Sequence, residues 1–344
     1  MDNFSEYKKI GEPDKKVKLE NWRVAIGLQQ VDGLTPSKYL IEIAKDNIDG
    51  KISIEKAEKQ IKTYYKKNPP KTNEEKERQE ADEVSSRITK LLSKKSFSFS
   101  PAELVSIHKY LFTGILDKKT AGKFRKYDIS KNEPVLNGDS VSYGRADSIK
   151  ETLDYDFKQE KSFDYSGLTK RKKAEHVAKF MSGIWQIHPF GEGNTRTVAV
   201  FIIKYLRTIG FGADNVLFEK YSAYFRNALV RANYKNLELG VSENMEYLNK
   251  FFGNFLLGEN NKLDNKDLFL EVKNTPRKHL KKHPKKTRDK ILELIVDKPE
   301  ISMAEMATVL GLSFDTIRDH IDRMKSKNIL RRIGPDKGGK WRIL

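Results

Sequence analysis

Ten consecutive residues, His188-Pro-Phe-Gly-Glu-Gly-Asn-Thr-Arg-Thr197, place a base, a carboxylate, a flexible turn and a guanidinium within one short stretch. Histidine can take a proton near neutral pH, and a carboxylate such as that of Glu192 can hold a hard divalent cation. Before the stretch, Ala174 to Ile187 has Val177, Phe180, Met181, Ile184 and Ile187 at helical spacing, which predicts a helix with one apolar face. After it, Val198 to Ile209 reads as a second apolar helix. The decapeptide is therefore a helix–loop–helix corner, with Gly193-Asn194 where the second helix opens. The free N–H groups and positive dipole end of such a helix attract anions. A base beside an anion cradle, with an acid for a metal, suits phosphoryl or nucleotidyl transfer.

The run resembles the signature of Fic-domain proteins, H-P-F-x-[DE]-G-N-[GK]-R-x-x-R, matched at His188, Pro189, Phe190, Glu192, Gly193, Asn194 and Arg196. Thr195 departs from the Gly of the family's nucleotidyltransferases and the Lys of its Doc-type kinases, and Ala199 stands where many members carry a second Arg. A lone histidine would fit a packed core as well. Seven matched positions of chemically loaded types favour the family, subject to their context. Upstream, Gly122-Lys-Phe-Arg125 is similar to the G-x-x-R segment preceding the Fic site. Between the two lies Asn137-Gly138, a strong signal for a tight turn with positive φ at both central residues, flanked by Val135 and Val141. This resembles the family's flap, a hairpin that would align a target segment by strand addition along Val135, Leu136, Asn137 and Gly138. Downstream, Ser222 to Tyr234 reads as an amphipathic helix. The resemblance makes Asn233 and Tyr234 candidates for closing over an adenine, although core packing explains them equally well.

The chain has 344 residues, 38% hydrophobic and 33% charged, enough for two or three domains with a core and a very polar surface. It has no cysteine, which removes disulfides and thiolate metal sites and suits a reducing compartment. Without an apolar leader or membrane-length apolar run, the expectation is a cytoplasmic protein. The net charge is +18, and residues 271–344 contribute 19 Lys/Arg against 10 Asp/Glu. About half the excess thus sits in roughly a fifth of the chain, which points to a polyanionic partner at that end.

The pattern along the chain is mostly α-helical. Residues 1–66 carry helical patterns: Pro36 to Ile48, then a helix capped by Ser53 with Ile54, Ala57, Ile61 and Tyr64 on its apolar face. Residues 67–84 read as a charged linker, 85–258 as the helical Fic-like body and 259–284 as a basic linker. Residues 285–344 have helix–turn–helix spacing. Ser302 caps its second helix, Gly311 turns, Ser313 caps the third, and Leu312 and Ile317 face the core. A hairpin with its tip at Gly334–Gly339 follows. This resembles a winged helix–turn–helix, for which Ser313, Thr316, Arg318, Arg331 and Lys337 are candidate DNA contacts. A protein-docking module is the alternative.

The stretch Ile26 to Tyr39 with its following short helices resembles a small VbhA-like antitoxin fused ahead of its toxin. The family's inhibitory pattern [ST]-x-x-x-E-[GN] is degenerate here, with Leu28 and Asp32-Gly33 in place of Ser/Thr and Glu-Gly. Ser85 to Lys90 resembles the other location of that helix but carries Thr89 in place of the acid. Asp32 is the better inhibitory candidate; with Ala199 lacking the second Arg, it would have to meet Arg196 or a lysine. Gly33 could equally be a simple helix stop.

The Fic resemblance implies transfer of AMP from ATP, with Mg²⁺, to a Ser, Thr or Tyr hydroxyl of a protein. His188 would be the general base and Glu192 the metal ligand. Gly193 to Thr195, with Asn194, would hold phosphates, and Arg196 would bear on the β-phosphate. Phe190 and Gly191 complete the nucleotide loop, Phe190 chiefly as an anchor. Two alternatives are a Fic-type phosphotransferase and a nucleotide-sensing DNA-binding regulator with a degenerate Fic body. Expected partners are ATP, a hydroxyl-bearing protein and DNA, without a membrane, and the chain could self-associate.

Overall fold

The structure is a computed structural model that describes residues 13–117, 120–211, 216–270, 287–326, 329–333 and 339–343. It divides into two compact units, 1–271 and 272–344. In the first, the described residues form ten α-helices: α1 Pro13–Gly27, α2 Lys38–Ile48, α3 Ile54–Lys67, α4 Asn73–Ser93, α5 Pro101–Phe112, α6 Ile149–Lys161, α7 Lys170–Ile187, α8 Asn194–Thr208, α9 Val216–Ala232 and α10 Glu246–Leu257. Small-side-chain caps set several starts. Ser37 accepts the Leu40 N–H and Ser53 the Lys56 N–H, each satisfying an otherwise orphaned donor. The short 3₁₀ turn Leu28–Asp32 ends at Gly33, whose φ of 75° suits a residue without a Cβ.

The core explains why the N-terminal helices belong to this unit. Helix α1 is apolar on two sides. Trp22 and Ile26 pack with Leu40, Ile48 and Ile61 of α2 and α3. Val24 and Ala25, with Leu28 and Val31 just beyond the helix, join the main core built on α7, α8, α9 and α10. A helix apolar on more than one face is a buried helix.

Three sequence expectations need correction here. Residues 67–84 are not a linker throughout: α4 starts at Asn73 with a full capping box, Thr72 accepting from Glu75 N–H and Glu75 reaching back to Thr72 N–H. On α3, Tyr65 rather than Tyr64 turns inward, because its hydroxyl donates to the buried carboxylate of Asp82 at 2.7 Å. The segment after α10 also packs before any linker begins: Leu263 and Leu268 are buried. The basic stretch of residues 271–286 lies outside the described residues.

The second unit holds α11 Thr287–Asp297, α12 Met303–Leu310, α13 Phe314–Ser326 and the antiparallel pair β1 Leu330–Ile333 with β2 Lys340–Ile343. Ser302 and Glu305 form a capping box, Gly311 is left-handed at φ 64°, and Ser313 accepts from Thr316 N–H, as the spacing predicted. Its own core includes Ile291, Ile295, Met306, Ile317, Ile321 and Trp341. Leu312 is only partly buried against that core. The wing tip, including Lys337, lies outside the described residues.

Candidate active site

Helix α7 ends on His188, which caps it in the left-handed region at φ 50°. Arg125, with its side chain fully buried, holds this corner in place. Its guanidinium donates to the carbonyls of His188 (2.8 Å), Ile187 (3.1 Å), Tyr127 (2.6 Å) and Gly144. Its own N–H donates to Pro189 O at 2.9 Å. The Gly122–Arg125 segment therefore serves as a clamp on the backbone that carries the histidine.

The His188 ring is buried. Its Nδ1 lies 3.1 Å from Trp185 O, a carbonyl that can only accept, so Nδ1 carries the proton. Nε2 is then a bare lone pair, and no group among the described residues bonds to it. Burial, reinforced by the positive charges of Lys131, Arg125 and Arg226, pushes the ring down to about 3. The imidazole is neutral at physiological pH, as a general base must be before it acts.

The loop beyond it is built from within. Asn194 Oδ1 accepts from Phe190 N–H at 2.9 Å and its Nδ2 donates to Phe190 O at 2.8 Å. The Asn194 side chain closes the loop, so the expectation that it holds phosphate falls to the backbone N–H groups opening α8, which no side chain caps. Gly193 has φ 70°, and a Cβ there would meet the Phe112 ring at 2.4 Å, so only glycine fits. Thr195 is likewise turned inward, its Oγ1 accepting from Trp185 Nε1 at 2.9 Å. Phe190 is buried and stacks on His108 at 3.8 Å, the anchoring role expected of it. The His108 Nδ1 accepts from Gly122 N–H at 2.8 Å and its Nε2 donates to Glu192 O at 3.0 Å. Burial pushes His108 down to about 4, keeping it in this neutral bridging form. Gly191 sits under the Tyr127 hydroxyl, which a Cβ would approach to 2.9 Å.

The Glu192 side chain is exposed. No cluster of three metal-ligating side chains exists among the described residues. One free carboxylate fits Mg²⁺, which typically takes one or two protein carboxylates and completes its shell with water and substrate phosphate oxygens.

Arg196 is buried and already occupied. Its Nε lies 2.7 Å from Asp32 Oδ2, off the N–H direction, so this contact is an ion pair rather than a hydrogen bond. Its Nη2 pairs with Glu80 Oε1 at 2.6 Å, and Nη1 donates to Gln29 Oε1 at 3.0 Å. The Phe112 ring lies under the guanidinium at 4.9 Å. Asp32 was legible in the sequence, whereas Glu80 and Gln29 carried no local signal. Gly33 is both neighbour to this contact and the stop of the turn.

Other expected site residues are committed elsewhere. Asn233 is buried, donating to Ser182 Oγ and Leu229 O at 2.8 Å each, and Tyr234 donates to Asp139 at 2.7 Å. Both therefore tie α9 into the core instead of standing over a free base. The flap is a compact turn rather than a hairpin. Asn137 and Gly138 have positive φ (54° and 90°) and Asp139 N–H closes the turn on Leu136 O, as the dipeptide predicted. No strand flanks it among the described residues: Pro134–Leu136 is instead a single 3₁₀ turn, with Val135 and Leu136 both buried. Val135 O also already accepts from Leu270 N–H at 3.0 Å. In the second unit Ser313 and Arg331 are exposed, Thr316 bonds to Ser313, and Arg318 pairs with Asp315 at 2.8 Å.

Residues 98–206 match the Fic/DOC family, and residues 285–331 match the winged helix-turn-helix DNA-binding family. The chain thus carries a Fic/DOC domain followed by a winged helix–turn–helix. Among solved structures it is similar to the N-terminal Fic domain of the Bep8 effector from Bartonella sp. 1-1C. That match has 18% identity and TM-score 0.42, covering 55% of this chain and 88% of that one. It is similar to a Fic family protein from Desulfovibrio desulfuricans G20 (14% identity, TM-score 0.45, 99% and 92% covered). A third similar structure is BepC from Bartonella tribocorum with bound AMPPNP (18% identity, TM-score 0.40, 51% and 85% covered). No curated protein matches the chain. None of the described helices is long and apolar enough to cross a membrane.

Proposed function

We propose that this Fic/DOC-domain chain transfers AMP from ATP to a Ser, Thr or Tyr hydroxyl of a protein, and that its own N-terminal segment restrains the reaction. The observation that carries the reading is the bare, neutral Nε2 of His188 beside the uncapped start of α8. The acceptor oxygen attacks the α-phosphorus, its proton passes to His188 Nε2, and the bond to the β-phosphate breaks to release pyrophosphate. The N–H groups of α8 and the Arg196 guanidinium take up developing negative charge. Glu192 would hold Mg²⁺, which neutralises phosphate charge when bound.

Position 195 favours nucleotidyl over phosphoryl transfer, because its hydroxyl is tied to Trp185 and it presents no cation to a phosphate. Restraint follows from charge: while Asp32 and Glu80 hold Arg196, that guanidinium is not free for a phosphate. The winged helix–turn–helix is read as a DNA-binding module, supported by the family it matches and its basic surroundings. Incubation with ATP labelled separately at the α- and γ-phosphates is the test. Protein-bound α-label alone is expected; γ-label transfer would make the chain a phosphotransferase, and neither label would leave a nucleotide sensor.

A further inference from the structure

Away from the motif, a cavity of about 810 Å³ lies where the start of α2, the end of α3 and the start of α4 meet. Its volume is in the range of small-molecule sites. Lys38, Lys67, Lys71 and Arg78 line it, and no ion pair holds any of their head groups among the described residues. The one acid on the wall, Glu75, is already engaged by the backbone N–H groups of Lys71 (2.6 Å) and Thr72 (3.1 Å). Tyr39 and Tyr64 also line the cavity, stacked with centroids 4.4 Å apart and planes at 22°, and Tyr64 remains 39% exposed. Four cations against the single wall acid, whose charge bears on Lys71 and Arg78, beside a partly exposed aromatic pair form a receptor for a ligand that is both anionic and ring-bearing.

The walls are tied to the Arg196 clamp. Asp82 of α4, fully buried, accepts from Ser37 N–H, Ser37 Oγ and Tyr65 OH, joining all three helices under the cavity. Arg78 on the wall precedes Glu80 by two residues. The Thr35–Lys38 wall begins three residues after Asp32. Both carboxylates that hold Arg196 are thus continuous with the cavity lining.

We propose that this cavity binds a nucleoside polyphosphate, its ring on the Tyr39–Tyr64 pair and its phosphates on Lys38, Lys67, Lys71 and Arg78, and that occupancy loosens the hold of Asp32 and Glu80 on Arg196. The regulatory half rests on reading that clamp as inhibitory; the binding half does not. The test is anisotropy of mant-GTP titrated with the full chain. Saturable binding is expected, weakened about tenfold or more by Lys67→Ala/Lys71→Ala, equivalent to at least about 1.4 kcal/mol, and severalfold by Tyr64→Leu. Binding that survives Lys67→Ala/Lys71→Ala but is lost in Glu192→Ala would place the probe at the motif loop and overturn the site, as would no binding at millimolar probe. Tripolyphosphate binding as tightly as mant-GTP would overturn the role of the ring.

Hydrogen exchange reads the coupling without any need for catalysis. Amides of residues 28–33 and 79–83 should exchange faster with mant-GTP bound, and this change should vanish in Lys67→Ala/Lys71→Ala. Binding without faster exchange would overturn the coupling. Faster exchange with no α-label transfer under any condition would leave the site standing and remove the transferase reading instead.

Discussion

The two ends of this chain are joined to the Fic/DOC domain by different physics. At the N-terminal end, α1 and the turn after it put Val24, Ala25, Leu28 and Val31, none more than 3% exposed, into the same core as α7 to α10. At the C-terminal end, the winged helix–turn–helix is a separate compact unit with a core of its own, closed over Trp341 and Met306. A segment that shares a core is held by the same burial that stabilises the domain, whereas a segment with its own core can be studied as a module. The resemblance to a separate antitoxin fused ahead of its toxin therefore describes the position of Asp32 better than it describes how that residue is held.

The largest effect expected from this contrast is on folding. Removing residues 1–33 takes Val24, Leu28 and Val31 from the main core, each worth about 1.5–3 kcal/mol, and Ala25 besides, against a typical total stability of about 5–15 kcal/mol. The truncated chain should be insoluble or lack a cooperative thermal transition, whereas a chain ending at residue 270 should melt cooperatively. A soluble, cooperatively melting chain without residues 1–33 would restore the detachable-antitoxin picture.

Next in size is the base. His188→Ala should keep the circular-dichroism melt of the native chain within a few degrees and reduce α-label transfer by about 10²–10⁴-fold. Wild-type labelling in this variant would remove His188 from the mechanism.

The clamp on Arg196 gives a smaller and opposite change, and point substitutions test it without opening the core. Asp32→Ala should raise α-label self-modification, and Asp32→Ala with Glu80→Ala should raise it further, by about 10–100-fold, equivalent to about 1.4–2.7 kcal/mol. Equal labelling in native and doubly substituted chains would show that occupied Arg196 is not what limits the reaction.

Asp32 and Glu80 also show where the sequence was readable. The decapeptide, the caps at Ser53, Ser302 and Ser313, and the Asn137-Gly138 turn are local: each depends on neighbours a few residues away, so type and spacing suffice. The capping box Thr72-Asn-Glu-Glu75 was equally local, and it marks α4 where a linker was expected. Glu80 on Arg196, Leu270 on the turn edge and Trp185 on Thr195 are not of this kind. They join residues whose approach is decided by how helices pack, and nothing in the local pattern around Glu80 distinguishes it from the other acids of α4. For Asn233 and Tyr234 the bonds fit the packing alternative, since a polar residue at a helix end serves packing as readily as ligand binding.

A further consequence of burial is pH dependence in the first unit. His108 and His188 are held neutral, down to about 4 and about 3, while in the unfolded chain each titrates near about 6.5. Their folded values are depressed, so the stability this represents is complete above about pH 6.5 and is lost as pH falls toward 4 and 3. The loss approaches about 1.4 kcal/mol per pH unit for each histidine. Calorimetry from pH 7 to pH 5 should show the first unit's transition falling, with a shallower slope in His108→Gln, which removes one of the two titrating groups. Parallel slopes in the two chains would mean that His108 is protonated alike in folded and unfolded states.

The smallest change is expected on the surface of the second unit, where no buried group is at stake. Arg318 is 2.8 Å from Asp315, and Lys325 is 3.4 Å from Asp322, so α13 neutralises part of its own positive charge. Contacts with DNA phosphates release counterions only where a cation is available to them, whereas exposed ion pairs are worth about 0–1 kcal/mol and can open. Arg331, exposed on β1, has no such partner among the described residues. Arg331→Ala should reduce the log–log salt slope of DNA binding by about 0.9, while Arg318→Ala should change affinity by less than about threefold at any salt. Anisotropy of the full chain on a duplex from its own upstream region, from about 50 to 200 mM salt, reads both. If Arg318→Ala abolishes binding while Arg331→Ala is silent, the Asp315 pair must open on DNA and α13 reads bases directly. If neither changes the slope, the second unit docks protein, and its separateness from the first serves delivery of a target rather than recognition of DNA.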